Sequence, residues 1–382
     1  MDDHSTKKRV LQIVNYYYPE LGGIEKIAQA ISNAISDQYE EKIVCFTRGK
    51  EDSVDNVEGV EITRCGTKLK LFSQPLSISM AKNIKKLIKD FKPDIIILHL
   101  PNPFTEYYTL KHLSSSSKLI VYWHSDIVKQ KIGEKIFRKL TVRLLDKATK
   151  IVATSPNYIT DSYYLSQYKE KCVVIPNCIE EDKLVIDEDT RIESNKIREK
   201  NKDKIICVGV GRQVPYKGFE YLVQSMGLLP DKYVLYLIGR EDESTAAIKR
   251  LSEGLTNVVL LGEIDGKALK AYLNACDIFC FSSITKNEAF GIALAEGMYY
   301  EKPAVTYTIE GSGVNYVNIN NVTGIEVPNK DVKAYADAII KLGEDKELRD
   351  KYGKAAKERV EKEFLSKYFY DNFRRFINNE MK

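Results

Sequence analysis

Among the seven cysteines of this 382-residue chain there is no Cys-x-x-Cys pair, and its four histidines form no cluster. A structural zinc site draws its ligands from closely spaced Cys and His residues, so that class is set aside and no metal is expected. Cys45, Cys172, Cys207 and Cys280 sit inside or beside apolar β-like runs, where a thiol packs as a small hydrophobe. Such use of cysteine points to a reducing compartment. Long apolar runs are missing as well. Stretches such as Asp94–Leu98 and Ile205–Val210 are far shorter than the roughly 20 residues needed to cross a bilayer. The first ten residues, MDDHSTKKRV, are polar and lead straight into a strand, so no secretory signal is read and a cytoplasmic location is expected. Two nucleotide-binding signatures are absent too. G-x-x-x-x-G-K-[ST] occurs nowhere, and Asn15–Gly23, after the first strand, lacks the G-x-G-x-x-G of NAD-dependent dehydrogenases.

What is present is a chain of ordinary hydrophobic content, 43%, and of a length that suits two domains. The net charge of +4 is unevenly spread. Residues 1–178 hold 27 Lys and Arg against 20 Asp and Glu, and the remainder holds 31 against 34. Residues 68–92 contain seven lysines and one acid, and residues 129–150 contain eight basic residues and two acids. Both stretches show helical apolar spacing, through Ile84, Leu87, Ile88 and Phe91 in one and Ile132, Ile136, Phe137 and Leu140 in the other. They read either as solvated helices with packed inner faces or as a basic surface for anionic phospholipid headgroups. Nucleic acid is not expected, because no recognition motif accompanies the charge.

Short β-branched runs alternate with longer amphipathic helices, the pattern of parallel sheets wrapped by helices. Strands are predicted at Val10–Val14, Lys42–Phe46, Asp94–Leu98, Lys118–Trp123, Lys150–Ala153 and Cys172–Ile175. A second series starts at Lys204–Val210 and continues through Tyr233–Ile238, Asn257–Leu261, Asp277–Phe281 and Pro303–Tyr307. Between the two series, residues 180–203 are crowded with charge and lack aromatics, which reads as a linker with a solvated helix. The division is therefore 1–179, linker 180–203, 204–360, and a terminal helix 361–382 whose Phe364, Tyr368, Phe369, Phe373 and Phe376 require a surface to cover.

Three clusters carry chemistry. In Pro19–Glu25 the pair Gly22-Gly23 stands at a strand-to-helix turn, where backbone N–H groups and a helix N-terminus favour an anion. In Val208–Gly218 a strand ends in glycines, including Gly211, and the loop places Arg212 and Lys217 five residues apart. A guanidinium grips phosphate oxygens bidentately and an ammonium adds a point charge. A diphosphate leaving group needs such cations because its negative charge grows as its bond to a sugar breaks. In Lys286–Gly297 the carboxylates Glu288 and Glu296 frame A-F-G-I-A-L-A. Glu288 falls in a loop and Glu296 on a helix expected to begin near Phe290, so the two project at different depths. Between them, the amides of Phe290, Gly291 and Ile292 can meet phosphate. Asp187-Glu-Asp189 spells D-x-D, a metal motif of a different fold, but no strand precedes it and it reads as solvated charge.

The run E-A-F-G-I-A-L-A-E at Glu288–Glu296 resembles the E-x(7)-E signature of the family 4 retaining glycosyltransferases. Gly22-Gly23, the G-R-x-x-x-x-K-G of Gly211–Gly218 and the V-I-P-N of Val174–Asn177 match further landmarks of that family in the same order, from about Val10 to Phe376. The resemblance implies the α/β GT-B fold: two Rossmann-like domains facing across a cleft, with the C-terminal helix crossing back to the first. By position, Glu296 would hold the nucleotide ribose, and Glu288, with its neighbours Ala289–Ile292, would lie at the transferred sugar and its phosphates. Arg212 and Lys217 would clamp the diphosphate, Gly23 would close on it, and Gly239-Arg240 and Glu263-Ile264 would lie near base and ribose. His124, in Trp123–Val128, is similar to the H-S-D segments of bacterial mannosyl- and rhamnosyl-type transferases that build surface polysaccharides. It would contact the sugar, with Asp126 a weaker candidate on the acceptor side. Gly311-Ser-Gly313 departs from the family's commoner G-G turn, which leaves its role open.

The implied reaction is metal-independent hexosyl transfer with retention. The donor expected is GDP-mannose, with a UDP-hexose as runner-up. The acceptor expected is a polyprenyl-diphosphate-linked glycan at the inner face of the membrane, where the protein would be peripheral. A catalytically silent nucleotide-sugar-binding subunit is the alternative from another class.

Overall fold

The central strand Ile95–Leu100 is buried at all six positions, as a strand in a parallel sheet covered on both faces must be. The computed structural model describes residues 7–20, 22–67, 69–71, 74–126 and 131–381. Leu21, Ile127-Val128 and the side chains of Ile132 and Ile136, all used in the sequence reading, lie outside the described residues.

The first series of elements is β1 (Lys8–Ile13), α1 (Gly23–Ile35), β2 (Tyr39–Thr47), β3 (Ser53–Val57), β4 (Val60–Gly66), β5 (Leu69–Leu71), β6 (Gln74–Leu76) and α2 (Ile78–Asp90). It continues with β7 (Ile95–Leu100), α3 (Pro103–His112), β8 (Lys118–Trp123), α4 (Lys131–Lys147), β9 (Lys150–Ala153), α5 (Pro156–Asp161) and β10 (Cys172–Val174). The second series is α6 (Glu188–Lys200), β11 (Ile205–Val210), α7 (Phe219–Met226), β12 (Tyr233–Ile238), α8 (Thr245–Ser252), β13 (Val258–Gly262), α9 (Gly266–Ala275) and β14 (Ile278–Phe281). After it come α10 (Ile292–Tyr299), β15 (Ala304–Tyr307), α11 (Val314–Val317), β16 (Gly324–Val327), α12 (Val332–Glu344), α13 (Lys346–Glu363) and α14 (Ser366–Glu380).

Two units result, residues 1–177 with 366–382, and residues 178–365. The first holds a sheet of order β10-β9-β8-β7-β1-β2-β4-β3, parallel except for the edge strand β3. The second holds a parallel sheet of order β13-β12-β11-β14-β15-β16. Each is a Rossmann-like αβ unit whose strand order reverses, at β1/β7 in one and at β11/β14 in the other. Ligands of open α/β sheets settle outside the carboxyl ends of the strands at such a reversal.

Helix starts follow local rules. Ser77, Asn102, Ser155 and Asp331 each accept a hydrogen bond from an amide in the following first turn, and Pro103 and Pro156 fill first-turn positions where an N–H has no use. The helix α14 packs on α1 within the first unit, burying Phe369, Phe373, Phe376 and Ile377. At roughly 1.5–3 kcal/mol for each fully buried side chain, these four hold the last helix in place. Tyr39 Oη donates to Asn378 Oδ1 at 2.8 Å, and Arg374 Nε to the Ala34 carbonyl at 2.6 Å.

Three expectations change. Phe364 is not part of the terminal helix; it is fully buried in the second unit, its ring edge-on to Phe290 with centroids 5.2 Å apart. Residues 180–203 hold the expected helix, but it is not solvated all round. Within them α6 packs on α9, burying Thr190, Ser194 and Ile197, and Arg198 grips Asp277 with both terminal nitrogens at 2.8 and 2.9 Å. Its inner face is made of small polar residues and one isoleucine, which a hydrophobicity pattern does not register. The strands β3, β4 and β16 also went unread: β3 and β16 are short, and β4 interrupts its apolar positions with Glu61, Thr63 and Arg64.

Candidate functional site

In the second unit, three neighbouring strands end in glycine. Gly211, Gly239 and Gly262 follow or close β11, β12 and β13, with φ of 155°, 141° and 69°. Gly239 N donates to Gly262 O at 2.7 Å, and a Cβ on Gly239 would lie 1.9 Å from Gly211 O. No side chain fits between these backbones. The strand ends therefore form a bare rim, beside which Arg212 and Arg240 reach Asp242 at 3.7 and 4.0 Å. Glu263 is exposed and Ile264 half-buried in the next loop.

Across the β11/β14 reversal, the two loops meet through Lys217 and Glu288. Lys217 Nζ pairs with Glu288 Oε2, with side chains only 12% and 13% exposed. Ser283 Oγ donates to the same carboxylate oxygen at 3.1 Å. Burial alone would lower the lysine's pKa; the Glu288 carboxylate outweighs it, and the ammonium stands above its ordinary value. The Phe281 ring lies under this ammonium at 5.1 Å. The turn that delivers Lys217 closes at Gly218, whose φ is 63° and where a Cβ would lie 2.2 Å from Ser282 O.

The helix α10 starts at Ile292, two residues after the expected Phe290, with Gly291 at φ 93° as its N-cap. Leu294 and Ala295 are the first amides to bond back, both to Gly291 O, which leaves the earlier amides at the open end of the turn. Ala289 and Phe290 turn their side chains into the core, so only their backbone borders the site. Glu296 lies half-buried one turn into α10. Ser312 and Gly313 support this loop: Ser312 Oγ donates to Glu288 O, and a Cβ on Gly313 would lie 1.9 Å from Ala289 O. The Gly311-Ser-Gly313 turn thus abuts residues 288–290, a role its sequence did not disclose. Ser283 was missed too; its only signal was its place just past β14.

In the first unit, Gly22 is the N-cap of α1 and Gly23 its first residue. A Cβ on Gly22 would lie 2.3 Å from Glu25 Oε2, so that carboxylate folds over the helix start. Across the β1/β7 reversal, Asn102 Nδ2 donates to Asn15 Oδ1 at 2.6 Å. His124, 7% exposed, follows β8; its Nε2 lies 2.9 Å from His99 Nδ1 and its ring stacks on Tyr122 with centroids 4.7 Å apart. Burial, with the His99 ring adding to it, drives the His124 pKa well below the ordinary histidine value, so the imidazole is neutral. His99 was not singled out in the sequence.

Asp126, buried just past β8, is engaged by its own unit. Its Oδ1 accepts from Trp123 Nε1 at 3.0 Å and Ser162 Oγ at 2.8 Å, while its amide donates to Tyr158 Oη at 2.6 Å. Asp187 caps α6 and Asp189 pairs with Lys267 at 2.9 Å. Among the described residues, no group of three or more His, Cys, Asp or Glu could hold a metal ion.

Two stretches match known families: residues 21–183 match Glycosyltransferase Family 4, and residues 190–359 match Glycosyl transferases group 1. The chain is 30% identical to O-antigen chain mannosyltransferase C of Escherichia coli, over 96% of each chain. It is 31% identical to D-rhamnosyltransferase WbpZ of Pseudomonas aeruginosa, over 94% of this chain and 92% of that one. Among solved structures, Alr3699/HepE of Anabaena, in complex with UDP and glucose, superposes with a TM-score of 0.77 at 15% identity, covering 97% of this chain and 99% of that chain. That likeness shows the GT-B fold.

Proposed function

The chain belongs to the family 4 glycosyltransferases, and from that premise we propose that it moves a hexose from a nucleotide diphosphate, with retention, onto a lipid-linked glycan of a bacterial surface polysaccharide. The carrying observation is the Lys217–Glu288 pair at the β11/β14 reversal, a cation and a carboxylate already assembled beside a bare backbone rim. A diphosphate entering there competes with Glu288 for the ammonium, and Arg212 adds a second, half-exposed cation. Glu288, released from sole charge of Lys217, turns to the sugar hydroxyls, and Glu296 holds the ribose.

In the reaction, the acceptor hydroxyl oxygen bonds to the anomeric carbon on the face the diphosphate leaves. Its proton passes to a phosphate oxygen, and Lys217 and Arg212 absorb the charge growing on the leaving group. No metal is required, since two cations from the chain serve that end. His124, neutral in its buried place, contacts the transferred sugar. GDP-mannose is the favoured donor, supported by relatives named for mannosyl and rhamnosyl transfer. The acceptor is assigned as a polyprenyl-diphosphate-linked glycan, met at a membrane through the basic face of α2.

A thermal-shift screen of GDP- and UDP-sugars tests the donor. Stabilisation by GDP-mannose is expected. Stabilisation by a UDP-hexose instead would move the assignment to that donor, and no shift with any nucleotide sugar would remove the reading. Product anomer analysis by NMR, with EDTA present, checks retention and metal independence.

A further inference from the structure

A row of polar side chains crosses the first sheet and ends at His124. Glu41 on β2, Gln12 on β1, His99 on β7 and His124 just past β8 stand on four neighbouring strands. The surrounding positions are apolar, so each polar group depends on the row and on α1 for its partners. Gln12 Nε2 lies 2.5 Å from Glu41 Oε1, 3.0 Å from Ser32 Oγ and 3.2 Å from Ala28 O. Gln12 Oε1 lies 2.8 Å from His99 Nε2, and His99 Nδ1 lies 2.9 Å from His124 Nε2.

Every link in this row has a direction. The Ala28 carbonyl can only accept, so the amide nitrogen of Gln12 faces it and the amide oxygen faces His99. His99 Nε2 therefore carries its hydrogen and its Nδ1 is bare. His124 Nε2 must then donate to that bare nitrogen, which leaves His124 Nδ1 with a lone pair. Nδ1 has no hydrogen-bond partner among the described residues. A second proton on His99 would set N–H against N–H, and burial opposes it as well, pushing the His99 pKa down to about 3. Tyr122 stacks on both rings, at 5.5 Å from His99 and 4.7 Å from His124, and fixes their planes.

We infer that Gln12 and His99 are positioning residues that hold His124 in its Nε2–H tautomer, so that it meets the transferred sugar with a lone pair and accepts a hydrogen bond from a sugar hydroxyl. This rests on the reading that His124 touches the sugar; the tautomer itself does not. The row is invisible to a motif search because its members come from four strands, and Gln12 and His99 are 87 residues apart.

Side-chain ¹⁵N spectra of the full chain decide the matter, since only four histidines contribute. At neutral pH, both His99 and His124 are expected as neutral Nε2–H tautomers. His99→Phe removes the acceptor for His124, so a mixed tautomer is expected, together with a fall in kcat of about tenfold, the worth of one hydrogen bond, and little change in donor KM. His99→Gln can accept from His124 and donate to Gln12, and should keep the tautomer and most of the activity. An Nδ1–H or doubly protonated His124 in the native protein overturns the inference, as does an unchanged tautomer in His99→Phe. Should His99→Phe not fold, the native spectrum and the His99→Gln rescue decide alone. His124→Ala separates the underlying reading: normal transfer in that variant sinks the sugar contact whatever the spectra show.

Discussion

Lys217 and Glu288 neutralise one another across the β11/β14 reversal, with the lysine ammonium also seated over the Phe281 ring. Under the proposed function, where Lys217 clamps the donor's phosphates, this pair is a resting arrangement that a charged donor reorganises. Glu288→Gln keeps the shape and removes the charge. Transfer should fall by roughly 100- to 1,000-fold, the range for losing one preorganised group at a developing charge, while nucleotide diphosphate binding by calorimetry survives. Near-normal turnover would show that the sugar lies elsewhere.

Arg212 is about half exposed and shares Asp242 with Arg240. Its removal leaves no buried charge behind, so Arg212→Ala should fold with unchanged Tm. Nucleotide diphosphate affinity should drop by roughly 10- to 150-fold, as expected for a lost charge-assisted hydrogen bond of roughly 1.5–3 kcal/mol, and nucleoside monophosphate affinity should drop less. Equal loss for a nucleoside without phosphate would contradict the diphosphate role.

Gly313 has an ordinary φ of −71°, so alanine there is not a strained conformation. The obstacle is space, since the new Cβ would lie 1.9 Å from Ala289 O. Gly313→Ala must displace the backbone at residues 288–290. A loss of stability of about 1–3 kcal/mol by denaturant titration is expected, with a larger proportional loss of kcat. An active, fully stable variant would show that this turn does not shape the loop.

Glu106 on α3 is 1% exposed, accepts from Thr141 Oγ1 at 2.7 Å, and has its pKa raised from 4.5 to about 7 by burial. A raised folded pKa in an acid means the folded chain keeps a proton the unfolded chain has released. That contribution is fully present below pH 4.5 and is lost as pH rises through 7. Glu106→Gln keeps a neutral side chain at every pH. Its stability relative to the native protein should therefore rise with pH between these values, by on the order of 3 kcal/mol, measured by urea titration at pH 5 and 8. A difference that does not vary with pH would refute this.

The outer face of α2 carries Lys82, Lys85, Lys86 and Lys89, and Ile78 at its start is 77% exposed. Among the described residues, no helix is long and apolar enough to cross a membrane. Flotation with anionic liposomes should recover the protein at low salt and lose it at high salt, as screening shortens the reach of the charges. Absence from the floating fraction at both salt levels would remove the membrane contact.

Much of the architecture was legible in the chain. The central strands are continuous apolar runs, and Asn102-Pro103 and Ser155-Pro156 announce their helices by local hydrogen bonds. The Gly-Arg and Glu-x(7)-Glu spacings likewise stand within single strand-loop-helix stretches, where a motif is a local object. What escaped was either short, as in β3 and β16, or polar where it is buried, as on the inner face of α6. Phe364 looked like part of the terminal helix because aromatic spacing continues through it; only packing on Phe290 assigns it to the second unit.

The chain's own order of residues determined which groups stand at the end of which strand, because apolar period, caps and glycines act over a few residues. Which of those groups touch was decided by the sheets. Lys217 meets Glu288 from 71 residues away, and Gln12 meets His99 from 87, because parallel strands set distant stretches of chain, and the loops that follow them, side by side. Burial and partners then gave these meetings their chemistry: burial left His124 neutral, while Glu288 kept the buried Lys217 charged, since a group out of water keeps a charge only where a partner compensates it.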